Sequence, residues 1–188
     1  DNSLYVMVSD GNLRIGIKKD ETFDADWVCF DNFKLTYYGT SASFYLRNRQ
    51  TGTFLTSGNN WGTQATLHET GIDFKLTLSN EKYTLNSGVN TNGSYLYPTN
   101  ENAGFVDGAS TEYVFKNVGG NYYAFSKDGS NNFFAANSND TRTYFNINDP
   151  SSSHYAQWEL LTKDDLVNEL KGASFSNPKN ATFFIQGF

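Results

Sequence analysis

The chain has 188 residues, a net charge of -6 and a pI near 4.8. With 14 basic residues scattered apart from the pair Lys18-Lys19, it shows no basic patch to displace phosphate counterions, so nucleic acid is not an expected partner. No stretch approaches the roughly 20 apolar residues that a membrane-spanning helix needs, so no membrane insertion is expected. Cys29 is the single cysteine, which rules out an intrachain disulfide. Aromatics reach 16%, and 16 Gly stand against 3 Pro. Asn is frequent beside Gly, Ser and Thr, a mixture that suits short strands joined by tight turns.

Residues 1–39 read as three strands: Tyr5-Val6-Met7-Val8, Leu13 to Lys18, and Trp27 to Tyr37, with Ser9-Asp10-Gly11-Asn12 as a hairpin turn. From there a repeat takes over. Its first strand is marked by Phe44, Tyr83 and Tyr122, at intervals of 39 and 39. A second follows at Phe54-Leu55, Tyr95-Leu96 and Phe133-Phe134, and a third around Leu67, Phe105-Val106 and Phe145-Ile147. The fourth contains Phe74, Phe115 and Trp158. Gly- and Asn-rich turns such as Asn90-Thr91-Asn92-Gly93 and Asp128-Gly129-Ser130 separate them.

Three units of four strands are too few blades for a propeller, but they can close into a barrel capped by hairpins, which removes exposed edges. The expected fold is therefore all-β. Beyond it, Lys163 to Leu170 is the one good helical stretch, with Thr162 as N-cap, Gly172 as stop, and Leu161, Leu166 and Leu170 on one face.

Over residues 43–163 the pattern resembles a β-trefoil, and within that class the ricin-B-like lectins. Those lectins carry Gln-x-Trp near the end of each repeat. This chain has Ala156-Gln157-Trp158, with Gln adjacent to Trp, and no Gln beside Phe74 or Phe115. Asp31-Asn32-Phe33-Lys34-Leu35 is similar to the closing strand of jelly-roll carbohydrate-binding modules found in surface proteins of glycan-degrading gut bacteria. Residues 173–188, with Asn177-Pro178 leading into Ala181 to Ile185, are similar to the first strand of another such module. The expected organisation is the end of a jelly-roll-like module at 1–39, a trefoil at 41–163, a helical linker at 164–172 and a new module from 173. The end segments are expected to form a small sheet, pairing with each other or with a second copy as a swapped homodimer.

The chemistry expected of the chain is binding. His68 and His154 lie far from each other and from Cys29 in sequence, with no metal-ligand spacing. Asp164, Asp165 and Glu169 suit a helix N-terminus. Cys29 has no base near it in sequence, and nothing pairs Glu69, Asp73, Asp107 or Glu112 as glycosidase carboxylates. No cofactor motif is present, and no catalytic role is expected.

Sugar recognition needs an aromatic face for the C–H side of a pyranose, with amides or carboxylates for its hydroxyls. The turn holding Asn59, Asn60, Trp61 and Gln64 supplies these types. A Trp between Asn and Gly there is either a ligand platform or a lid over the barrel end. The equivalent turns hold Asn100 and Asn102, and Asn137, Asn139 and Asp140, with Tyr97 and Tyr144 as platforms. In ricin-like lectins the loops between second and third strands contribute to sugar sites, so the resemblance implies a role for these residues. The partner expected is a polysaccharide or a glycoprotein glycan, met outside the cell or at its surface by an accessory module of a larger protein. The other reading is a structural spacer or a protein-binding trefoil.

Overall fold

The computed structural model describes residues 5–8, 12–13, 15, 34–90 and 93–172. Twelve strands follow in chain order, four to each repeat. The first repeat holds β1 (Ser41–Asn48), β2 (Phe54–Gly58), β3 (Gln64–His68) and β4 (Phe74–Ser79). The second holds β5 (Lys82–Asn86), β6 (Tyr95–Pro98), β7 (Gly104–Gly108) and β8 (Tyr113–Gly119). The third holds β9 (Tyr122–Lys127), β10 (Phe133–Ala136), β11 (Thr143–Ile147) and β12 (Trp158–Leu161), and helix α1 (Lys163–Gly172) follows.

The first and fourth strands of each repeat form a closed antiparallel ring: β1 pairs β4, β4 pairs β5, β5 pairs β8, β8 pairs β9, β9 pairs β12, and β12 returns to β1. The second and third strands form three hairpins, β2–β3, β6–β7 and β10–β11. The link between β4 and β5 is a two-residue turn with Asn80 at φ 50 and Glu81 at φ 65. That is the left-handed pair whose twist matches the flanking strands.

The hairpins close one barrel end with threefold regularity. The N–H groups of Leu67, Val106 and Phe145 donate to the carbonyl oxygens of Thr141, Thr63 and Asn102 at 2.8, 2.9 and 2.8 Å. Donors and acceptors alike recur every 39 residues, so each hairpin bonds the next around the axis. Ala65, Gly104 and Thr143 obey the same interval. A Cβ on Gly104 would lie 2.7 Å from Thr143 Oγ1 and 3.2 Å from Ala65 Cβ, so these three meet where only small side chains fit.

The interior is aromatic and aliphatic. Leu55, Leu96 and Phe134 from the second strands are fully buried, as are Phe74, Tyr113 and Trp158 from the fourth. The second-repeat counterpart of Phe74 and Trp158 is thus Tyr113, not Phe115, which is only half-buried. Tyr113 reaches the core place because its hydroxyl finds a carbonyl there, donating to Leu96 O at 2.7 Å, as the Trp158 indole donates to Phe134 O at 3.0 Å. Buried Tyr and Trp need such partners.

At the opposite end the expected N-terminal strands differ. Residues 5–8 and 34–38 carry no strand, and Trp27 to Phe33, the hairpin turn but for Asn12, and most of Leu13 to Lys18 lie outside the described residues, as do 173–188 and with them the swapped sheet. A closed ring offers no free edge for Tyr5 to Val8 to extend. Side chains hold that segment instead. Tyr5 packs edge-on against Phe44, its carbonyl accepts from Tyr123 Oη at 2.9 Å, and its hydroxyl donates to Asp165 Oδ2 at 2.5 Å.

Thr162 caps α1 as expected. Its Oγ1 accepts from the N–H of Asp165 at 3.2 Å, and Asp165 Oδ2 accepts from the N–H of Thr162 at 2.7 Å, a reciprocal box. Leu166 is half-buried, but Leu170 is 64% exposed, so the expected apolar face fades after one turn.

Candidate functional site

Trp61 sits at the tip of the β2–β3 loop, in a single 3-10 turn over Asn60–Gly62. Asn59, Trp61 and Gly62 have φ of 49, 54 and 76, a left-handed winding that throws the indole outward. A bulky residue at such φ costs about 1–2 kcal/mol. Trp61 is nonetheless 89% exposed, so it is no lid sealed into the barrel. The main chain satisfies itself through Gly62 N–H to Asn59 O at 2.8 Å and Thr63 N–H to Asn60 O at 3.2 Å. Asn59 makes no side-chain cap, and both Asn59 and Asn60 are exposed.

The indole leans on Phe105 of the next repeat, with centroids 6.4 Å apart and planes at 40°. Tyr97 flanks Phe105 on its other side at 6.2 Å and 46°. Register explains the row. On adjacent strands Tyr97 pairs Phe105 and Phe105 pairs Gln64, and paired residues share a face. Phe105 is buried at 8% exposure yet belongs to no part of the central core cluster; its cover is Trp61 and Tyr97. Gly108 lets Tyr97 lie flat, since a Cβ there would come within 2.0 Å of the ring. Three aromatics from two repeats therefore form one ledge, where the sequence placed Trp61 and Tyr97 in separate sites.

Gln64 corrects another expectation. It opens β3 at 3% exposure instead of facing outward with the loop, because its pairing with Phe105 sets it against the base of the ledge. Its Oε1, together with Thr63 Oγ1 and Asp107 Oδ1, is a buried polar atom without a hydrogen-bond partner. Asp107 lies within the irregular step of β7 between Phe105 and Gly108, where β6 and β7 lose register. Burial and the nearby Asp107 carboxylate push the Tyr97 phenol up from its usual range.

The second loop builds a separate cleft of about 400 Å³, lined by Asn100, Asn102, Lys127, Asp128, Ser130 and Phe145 among others. Asn100 is exposed, and Asn102, at φ 63, shapes the loop by donating its N–H to Thr99 O at 2.9 Å.

The third loop spends its polar groups on itself. Asn137 Oδ1 accepts from the N–H of Asn139, and Asp140 Oδ1 from that of Arg142, at 3.1 and 2.8 Å. The Arg142 guanidinium binds Asp140 Oδ2, holding that carboxyl below its usual range, and lies 5.7 Å over the Tyr144 ring. Tyr144 is thus a covered ring, and Asn137 and Asp140 serve turn geometry. Gln157 is likewise structural: buried, it donates to Pro150 O at 2.7 Å and accepts from Arg49 at 2.6 Å.

Sequence reasoning missed Phe105 and Asp107 as site residues. For Phe105 the available signal was alternation, with Phe105 next to the inward Val106; Asp107 had none, because the register slips beside it. Among the described residues no group of three or more His, Cys, Asp or Glu side chains is placed to hold a metal.

The fold is a β-trefoil. The chain is similar to a ricin B-like lectin of Macrolepiota procera, solved in complex with lactose, at a TM-score of 0.55 and 12% identity over 67% of this chain and 99% of that one. It is also similar to the designed threefold-symmetric protein ThreeFoil, at 0.50 and 16% over 64% of this chain and 98% of that one. A GlcNAcα1-4Gal releasing endo-β-galactosidase from Clostridium perfringens matches at 0.52 and 22%, over 63% of this chain and 32% of the enzyme. At these identities the likeness is one of fold. No protein-family model and no curated protein matches the sequence.

Proposed function

We propose that this trefoil is a non-catalytic glycan-binding module, an accessory part of a larger extracellular or cell-surface protein, that docks sugar on the Trp61–Phe105–Tyr97 ledge. The observation that carries the reading is Trp61 itself, held 89% exposed on a backbone conformation that indole disfavours. Strain at an exposed aromatic is a cost that binding can offset. A neighbour in fold that is a lectin solved with lactose supports the same reading. A shallow ledge buries little of a ligand, so a single site binds weakly and gains from repeated epitopes along a polysaccharide or a glycoprotein glycan.

A glycan array read with the intact chain and with Trp61→Ala tests this. Binding by the intact chain and its loss in the variant are expected; binding unchanged in Trp61→Ala would remove the ledge from the account.

The rival reading, a stiff spacer, draws on a different observation. Tyr5, which precedes the barrel, and α1, which follows it, are bonded to each other and to the barrel through Asp165 and Tyr123. A chain that binds no glycan on the array and keeps Trp61 shielded from acrylamide favours the spacer.

A further inference from the structure

We propose that the cleft between the second and third repeats is a second ligand site, separate from the aromatic ledge, that takes a sugar bearing one carboxylate, with Lys127 holding that group. One wall is the β6–β7 loop with Thr99, Asn100 and Asn102, and the other is the β9–β10 turn with Lys127, Asp128 and Ser130. Together they enclose about 400 Å³, within the range of small-molecule clefts. Both walls are set by their own main chain. Thr99 N–H bonds Ala103 O and Asn102 N–H bonds Thr99 O, each at 2.9 Å, and Ser130 N–H closes the turn on Lys127 O at 2.9 Å. Phe145 N–H ties the floor to Asn102 O at 2.8 Å. A site already held in shape loses little freedom when it binds.

The chemistry of the walls decides the ligand. Phe145 is 2% exposed and belongs to the core, so the cleft offers no aromatic platform of the kind the ledge has. Neutral hydroxyls there would only exchange water for amides, whereas a hydrogen bond to a charged partner is about twice as strong. Of the two charges that line the cleft, Asp128 is already neutralised, since its Oδ2 accepts from Lys82 Nζ at 2.5 Å. Lys127 has no ion pair or side-chain hydrogen bond among the described residues, and neither have the amides of Asn100 and Asn102. The Thr99 and Ser130 hydroxyls accept from the N–H groups of Ala103 and Asn132 and keep their own protons to donate. The uncommitted charge is therefore positive, with donors around it for the rest of a sugar. Glu101 stands between the two asparagines, and the chain carries a net charge of -6, so a single carboxylate suits the place better than a polyanion.

The cation is not imposed by the fold. Lys127, Gly88 and Arg49 are equivalent by the 39-residue interval. Gly88 has no side chain. Arg49 is spent, donating to Gln157 Oε1 at 2.6 Å and lying 4.4 Å over the Tyr122 ring. Of the three positions, Lys127 alone sets an unengaged cation in a cleft beside the loop of the neighbouring repeat.

The test is an NMR titration of the isotope-labelled intact chain with sodium galacturonate, galactose and sodium sulfate in turn, at one ionic strength. The amide signals of Asn100, Asn102 and Ser130 report on the cleft, and the Trp61 indole N–H reports on the ledge. Galacturonate should shift the cleft signals saturably and bind about tenfold tighter than galactose or sulfate, the scale of one hydrogen bond to a charged group. Lys127→Gln should lose that tenfold and Lys127→Arg should keep it, and both should melt with the parent because Lys127 is exposed. Galactose equal to galacturonate would show the charge to be idle, and sulfate equal to it would show a contact for any anion; either overturns the proposal. So does galacturonate binding indifferent to Lys127→Gln, or no shift at the cleft. The Trp61 signal is read separately, so failure at the cleft leaves the ledge standing, and a silent indole leaves the cleft standing.

Discussion

Trp158 donates its indole N–H to the carbonyl oxygen of Phe134 at 3.0 Å. In the second repeat Tyr113 makes the corresponding bond to Leu96 O at 2.7 Å, while Phe74 holds the place in the first with no polar atom. Two of the three repeats thus pin the fourth strand to the second by a side-chain donor inside an apolar core. Tyr113→Phe keeps the ring and strands the Leu96 carbonyl, so it should destabilise by about 1–3 kcal/mol. Trp158→Phe adds a void and should cost more, about 3 kcal/mol or above. Urea unfolding of both variants reads this, and a neutral Tyr113→Phe would show the bond to be dispensable.

Gly104 has neither the freedom nor the need of a left-handed turn; its constraint is space. A methyl there would meet Thr143 Oγ1 at 2.7 Å, Phe134 Cε2 at 2.8 Å and Ala65 Cβ at 3.2 Å, and Thr143 is fixed by its bond to Ala65 O at 2.7 Å. Gly104→Ala should therefore destabilise by about 1–3 kcal/mol through overpacking, despite the better strand propensity of any residue with a Cβ. Gly52→Ala, where nothing lies within 4 Å but φ is 71, isolates the backbone effect from the steric one. Calorimetric melting of the pair separates the two causes.

How far the sequence carried the fold shows in particular residues. Leu67, Val106 and Phe145 stand out because apolar residues recur at a fixed interval, and that interval is the fold's own rotation. Tyr113 and Phe115 were not separable, since residues two apart in a strand face the same way, and only the donor–acceptor match to Leu96 decides which one goes deep. Trp61 was legible as an aromatic stranded among Asn and Gly. The ledge was not, because Trp61 lies on one hairpin and Tyr97 and Phe105 on the next, and they meet only through strand register. The self-bonding of Asn137, Asp140 and Arg142 was hidden for the opposite reason: turn amides and ligand amides look alike until their partners are seen.

Alkaline pH should unfold this protein early. Burial pushes the phenols of Tyr113, Tyr5, Tyr83 and Tyr97 above their ordinary range. A group with a raised folded pKa releases its proton more readily from the unfolded chain. Its stabilisation is therefore intact below the unfolded value of about 10 and declines as pH rises past it. The melting temperature should hold steady to about pH 9 and then fall, and Tyr113→Phe should flatten that fall while lowering the plateau. A fall of equal slope in both proteins would mean that Tyr113 ionises no differently on unfolding.

The two described flanks of the barrel meet at Asp165, which accepts from Tyr5 Oη and from Thr162. Nearby, Arg47 binds Glu159 at 2.7 Å and Glu169 at 2.8 Å, fastening α1 to β1. Tyr5→Phe should cost about 1 kcal/mol and open the first residues to protease well before the barrel melts. Glu169→Gln should change stability by less than about 1 kcal/mol, since that pair is largely in water. Arg47→Ala should cost more than either, because it leaves the less exposed Glu159 carboxylate without its partner. Limited proteolysis beside a melting curve distinguishes local release of the flanks from global loss.

Trp61 should behave as an energetic liability kept for contact. Its φ of 54 and its exposure mean that the folded state gains little from the indole beyond its lean on Phe105. Trp61→Asn, a residue that tolerates this backbone region, should leave the melting temperature unchanged or raise it by the equivalent of up to about 1 kcal/mol. Loss of an ordinary buried Trp would cost about 3–5 kcal/mol, so the sign of the effect separates the two situations. The emission that Trp61→Phe removes should be its readily acrylamide-quenched share, since Trp61 is exposed and Trp158 is sealed in the core, while Trp27 emits in both proteins. A Trp61→Asn protein that melts several degrees lower would show the indole to be a structural prop for Phe105, and the ledge would then need another reason to face water.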